Sequence, residues 1–201
     1  MISPCLPLLL VLAAATPSGP ASVQLDAAEL ERRTDALLSV IDRPATAERW
    51  QALGPAVVPR LVAIARDPGS LPSRRAGAIE GLVAIGGAEA RAAVLQAAAD
   101  EAAPWSVRAS GLSGAGRLLA PEELEGALRP LLDRGSTLLV RSMAARVLAQ
   151  HAPATACPAV QAQAARERGA DRPHFDAALA RCAQAQATAG PGQATAPARL
   201  R

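Results

Sequence analysis

Ser106-Val107-Arg108-Ala109-Ser110-Gly111-Leu112 has a counterpart on either side at one fixed distance. Arg108 stands 33 residues after Arg75 and 33 before Arg141. Asp67, Asp100 and Asp133 are also 33 apart. An Asp-x7-Arg frame therefore occurs three times in register, which is the mark of stacked supersecondary units and not of one globular core.

Working outward from the frame, each copy divides into the same parts. The first begins at Pro55, with Val57, Val58, Leu61, Val62 and Ile64 on the inward side of one helix and a turn at Asp67-Pro68-Gly69. A second helix buries Ala76, Ile79, Leu82 and Val83 and ends at Gly86-Gly87. The second copy uses Ala90, Ala93, Val94 and Ala97, turns at Asp100, and continues with Val107, Leu112, Ala115 and Leu118. The third starts at Pro121 and buries Leu124, Ala127, Leu128 and Leu131. After a turn at Asp133-Arg134-Gly135, it buries Val140, Met143, Ala144, Val147 and Leu148. These spacings of three and four are those of helices with one buried stripe. Pro55 and Pro121 fall in first turns, where the missing N–H costs nothing. Pro59 and Pro130 fall inside first helices and are expected to kink or shorten them.

A fourth unit keeps the spacing less well, with helices predicted over 153–168 and 173–185 and His174 at the arginine position. Before the repeats, residues 24–41 predict a helix ended by Asp42-Arg43-Pro44, and 46–53 a short one carrying Trp50. Trp50 aligns with Val83 and is expected to cap the core. Trp105 aligns with Pro72 and Leu138 and reads as a packing staple.

Half of the 201 residues are apolar, but only 1% are aromatic and Tyr is absent. Alanine favours helix and buries little area per residue, so thin, closely set helices are expected. Every one of the 21 positive side chains is Arg, against 18 acids, for a net charge of +3. No basic block interleaved with aromatics occurs, so no nucleic-acid partner is expected. Residues 6–15 form an apolar run too short for a permanent membrane span, followed by small residues with candidate cleavage points after Ala15 or Ala21. The expected organisation is a signal peptide at 1–21, a helical cap at 22–53, a repeat domain at 54–185 and a disordered tail at 186–201. Export implies a periplasmic or secreted protein in which disulfides persist.

The ankyrin signature Thr-Pro-Leu-His and the tetratricopeptide pattern of Trp, Leu-Gly and Tyr are both missing. What stands instead is Asp in the inter-helix turn, then Arg three residues before a small one: Arg75 with Ala78, Arg108 with Gly111, Arg141 with Ala144. This resembles the HEAT repeat, more closely the short bacterial HEAT-like form also found in phycobilisome-lyase-type proteins. The resemblance covers residues 54–150 well and the flanks weakly. It implies an all-α, right-handed α-α solenoid (superhelix) of about four HEAT-like helical hairpins. It also implies a ladder between neighbours in which Asp67, Asp100 and Asp133 meet Arg75, Arg108 and Arg141.

Cys157 and Cys182 are the last two cysteines, on successive helices of the final unit. For an exported chain they read as a disulfide; buried thiols, or a metal site with His151 and His174, are the alternatives, though no zinc spacing is matched. Residues 111–116 hold three glycines around Ser113 but lack the spacing of a nucleophile elbow or a phosphate loop. No His precedes position 151, so a Ser-His pair would have to reach across the stack; no catalytic residue, metal or cofactor is expected. The outward positions of the second helices read Glu80, Ser113 and Arg146, and one turn on Ala84, Arg117 and Gln150. Such a strip is where solenoids bind partners on their concave side. The expected function is an exported, non-catalytic interaction scaffold with a protein or peptide partner there. The alternative, allowed by the lyase-type resemblance, is a lyase-like or chaperone-like protein acting on a bound cofactor or client.

Overall fold

A computed structural model of the chain describes residues 26–39, 45–135 and 137–189. Within these the protein is all-helical, with no strand. The expected signal peptide, residues 40–44 of the cap and the tail from 190 lie outside the described residues.

Helix α1 spans Ala27–Leu38, its first turn capped by the Asp26 carboxylate, which accepts from the Glu29 amide at 2.7 Å. Helix α2 is Ala47–Gln51. A 3-10 turn at Pro55–Val57 feeds α3, Val58–Arg66. Then follow α4 (Pro72–Ile85), α5 (Ala88–Ala99), α6 (Trp105–Leu118), α7 (Pro121–Arg134), α8 (Leu138–His151) and α9 (Pro153–Arg166). A second 3-10 stretch, Gly169–Phe175, leads into α10, Asp176–Ala189. The helices α4, α6 and α8 begin at Pro72, Trp105 and Leu138, so the 33-residue interval of the sequence is the interval of the helices. They form one row with α10: α4 lies against α6, α6 against α8, and α8 against α10. The first helices stand outside this row, α3 beside α5 and α7 beside α9, each antiparallel partner joined by a short turn.

The ends of these helices follow from particular residues. Gly86 and Gly87, at φ of +75° and +94°, stop α4 and start α5 in a backbone region closed to other side chains. Asp67 and Asp100 end α3 and α5 in extended geometry, and their carboxylates turn back onto the next amides: Gly69 N to Asp67 Oδ1 at 2.9 Å, Ala102 N to Asp100 Oδ1 at 3.0 Å. The third turn differs. Helix α7 continues past Asp133 to Arg134, so that carboxylate stays on the helix and accepts from Arg129 one turn earlier at 2.9 Å.

Three sequence expectations need correction. Pro59 lies in the first turn of α3 and not deep inside the helix, because the 3-10 turn at Pro55–Val57 moves the start of α3 to Val58. Pro130 does lie inside α7, yet α7 keeps 14 residues and is not shortened by it. Helix α10 runs through Gln186 to Ala189, where a disordered tail was expected. Its alanines supply helix propensity even without a partner face.

The core runs unbroken from Leu37 to Cys182. Ile79, Leu82, Leu112, Leu124, Leu128 and Leu148 are fully buried, as is Val57. Trp50 is 2% exposed and closes the first end, Phe175 the other. Ile64, Ala76, Val83, Leu118, Ala127, Leu131 and Met143 are only partly covered, while Ala65, Ala78, Ala98 and Leu132 are buried in their place. The reason is that each second helix touches its hairpin partner and also its neighbours in the row. It therefore buries two sides, and a single-stripe reading rotates the face by about one residue. Alanines and Gly111 at these contacts bring helix axes close.

Candidate functional site

The repeated arginines open the second helices and point inward. Arg75 is 5% exposed; its Nε donates to the Ala65 carbonyl at 2.9 Å, and its Nη2 lies 3.9 Å from Asp100 Oδ2. That carboxylate belongs to the next hairpin's turn. Arg108, also 5% exposed, donates Nε to the Ala98 carbonyl at 3.5 Å. In each case the arginine satisfies a carbonyl left open at the end of its own first helix. Arg141 departs from the expected Asp pairing. Its Nε and Nη2 meet Glu167 Oε1 and Oε2 at 2.7 and 3.2 Å in a two-point clamp, and its Nη1 donates to the Gly135 carbonyl at 3.2 Å. Glu167 takes the place of a turn acid because it stands at the C-cap of α9, as Asp67 and Asp100 do at the ends of α3 and α5. Arg141 holds the Glu167 carboxyl below its usual range, against the upward push of burial and with help from Gln163. Asp67 is also held low, by the Ser70 hydroxyl and the Gly69 amide, with Arg75 adding a weaker pull. These groups build the stack, and Arg75 and Asp100 also border a small cavity of about 110 Å³ between α3 and α5.

A second charged junction fixes the cap. Arg60 reaches both oxygens of Asp35 at 3.1 and 3.2 Å and Glu31 at 2.8 Å, and Arg74 reaches Asp35 at 2.5 Å. Burial pushes Asp35 upward, but the hydrogen bonds from Arg60 and Arg74 outweigh it and hold the carboxyl low. This cluster joins α1 to α3 and α4. Sequence reading missed it, since no repeat spacing marks it.

The remaining candidate residues lie on the row of second helices. Glu80 of α4 and Ser113 of α6 are half-buried; Arg117 of α6 and Arg146 and Gln150 of α8 are exposed. Arg117 crosses from α6 to α4 and donates Nη2 to Glu80 Oε2 at 2.5 Å. Beneath that bridge runs a groove of about 330 Å³ bordered by Trp50, Val83, Ala84 and Ala45, where Gln51 also donates to the Ala84 carbonyl at 3.1 Å. At the far end of α8 the His151 ring lies against Gly116: a methyl there would come within 2.6 Å of its Cδ2. Burial lowers the His151 pKa, and the nearby charges of Arg117 and Arg181 lower it further. The sequence reading did not connect these three residues. Their positions on three helices follow only from the order of the row.

Cys157 and Cys182 are joined, with Cα atoms 5.5 Å apart, tying α9 to α10. Their sulfurs are thereby withdrawn from metal binding, and among the described residues no group of three or more His, Cys, Asp or Glu side chains converges to hold an ion. Ser113 has no acid–base partner: the nearest chain histidine in sequence, His151, borders Gly116, and the described hydrogen bonds include none from Ser113. No described helix is long and apolar enough to cross a membrane. Compared with family models, with curated proteins and with solved structures, the chain finds no match.

Proposed function

We propose that this chain is an exported, non-catalytic scaffold that binds a protein or peptide partner on the face of its second helices. In this reading the hairpins form a right-handed α-α solenoid of about four HEAT-like units, with the row α4, α6, α8, α10 on the concave side. One observation carries the reading. The side chains that the row does not spend on its core, Glu80, Ser113, Arg117, Arg146 and Gln150, fall at equivalent places on adjacent helices and form one continuous polar strip. Two features support export: the apolar run at 6–15 and a Cys157–Cys182 bridge, which persists where thiols are oxidised.

Affinity capture from envelope fractions tests this, using the full chain and the Arg117→Glu, Arg146→Glu variant. Both side chains are exposed, so the variant is expected to fold. Loss of a captured protein by the variant supports the face as the docking surface. Equal capture by both moves the site elsewhere.

A further inference from the structure

We infer that the partner offers a carboxylate-rich segment to the face around Arg117, Arg146 and Arg181; this rests on the reading of the second-helix row as the binding surface. The charges of that row are one-sided. Helices α6 and α8 contain no Asp or Glu, and α10 only Asp176 in its first turn. The one acid of α4, Glu80, is already occupied by Arg117. Among the described residues Arg146 and Arg181 are exposed and make no ion pair or side-chain hydrogen bond. Neither serves as a charge at a helix C-terminus, since Arg146 lies in the middle of α8 and Arg181 in the first half of α10. The His151 ring at the end of α8 lies against Gly116 of α6, and Arg117 from α6 and Arg181 from α10 both act on it, so a cation from each neighbouring helix stands near that end of α8. Ser106, Ser110 and Ser113, none of them fully buried, continue along α6 from Arg117. A short acidic segment lying across α8 would meet Arg146 and Arg181, which have no acid of their own to pair with among the described residues.

Three arginines match a short run of carboxylates. A nucleic-acid strand would call for cations along its whole length and aromatic rings beneath its bases. Trp105, the sole aromatic of α6, α8 and α10, stands at the opposite end of α6 from Arg117.

The test is fluorescence anisotropy of the full chain with labelled oligoglutamate, oligolysine and single-stranded DNA of equal length. Oligoglutamate is expected to bind, and binding should weaken as salt rises past about 0.15 M. The Arg117→Gln, Arg146→Gln, Arg181→Gln variant should lose at least about tenfold in affinity. A variant of equal charge with Arg49→Gln, Arg66→Gln, Arg134→Gln, all exposed and away from the face, should keep wild-type affinity. Absence of oligoglutamate binding, equal losses in both variants, or tighter binding of DNA would each overturn the inference. Should oligoglutamate fail while the Arg117→Glu, Arg146→Glu variant still loses its captured partner, the face stands and only the acidic partner falls. Should oligoglutamate bind as described while capture survives that reversal, the broader functional reading falls instead.

Discussion

Gly111→Ala places a methyl group where α6 meets α5. An ideal Cβ there would lie 2.5 Å from the Ala98 nitrogen, 2.9 Å from its Cα and 3.0 Å from the Ala97 carbonyl carbon. All three are backbone atoms, so no side chain can rotate away. Favourable separations are about 3.5–4.0 Å, so the two helices must part by about 1 Å. Parting them loosens Val94, Val107 and Leu112, each fully buried. Alanine would gain up to about 1 kcal/mol in helix propensity. Overpacking strain of this kind costs about 1–3 kcal/mol and falls here on unyielding backbone. The expected net is a loss of about 2 kcal/mol, or about 4–8 °C in Tm for a domain of this size. Gly126→Ala is the matched control, because nothing lies within 4 Å of its Cβ position. It should gain a few tenths to about 1 kcal/mol. Urea and thermal unfolding followed by far-UV circular dichroism give both numbers. If Gly111→Ala proves as stable as wild type, the close approach of α5 and α6 is wrong.

Three further outcomes follow from the charged junctions and the bridge. Arg141→Ala should cost about 2–4 kcal/mol by urea unfolding, because Glu167, 9% exposed in its side chain, loses its clamp; the double variant with Glu167→Gln should recover part of that loss, and equal losses would refute the coupling. Glu167 and Asp35 have folded-state pKa values below their ordinary 4.5 and 3.8. Their contribution to stability is therefore present above those unfolded-state values and disappears as pH falls through the depressed ones; Glu167→Gln should flatten the decline in Tm below about pH 4.5, and an unaltered acid profile would contradict this. Cys157→Ala with Cys182→Ala removes a cross-link spanning 25 residues and should cost about 3 kcal/mol, read as a lower urea midpoint that reductant no longer changes.

The period of 33 was legible because Asp67 and Asp100 end their helices in the same turn geometry and Arg75 and Arg108 each donate to a carbonyl at the end of the preceding helix. The helix starts at Pro72, Trp105 and Leu138 obey it. Where the frame slips, legibility ends. Glu167 replaces an aspartate one residue late, and a 3-10 stretch at Gly169–Phe175 fills the place where a second helix was expected to begin. Pro158, inside α9, escaped notice as well. Burial was misjudged by a residue at Ile64, Ala76 and Val83, since a periodic pattern reports one covered side and these helices have two. The residues of the candidate face could be aligned in advance, but contacts between rows could not. The Arg117–Glu80 bridge spans 37 residues, and the Arg117, His151 and Arg181 grouping depends on which helices are neighbours.

Duplicating residues 88–120 in tandem puts the central claim to its most direct trial, because one whole hairpin is then added between two existing junctions. If each unit meets only its neighbours, the longer chain should remain monomeric, keep the same helical signal per residue and unfold at an equal or higher temperature. A chain that aggregates, or loses helical signal per residue, would show that the hairpins are parts of one indivisible core.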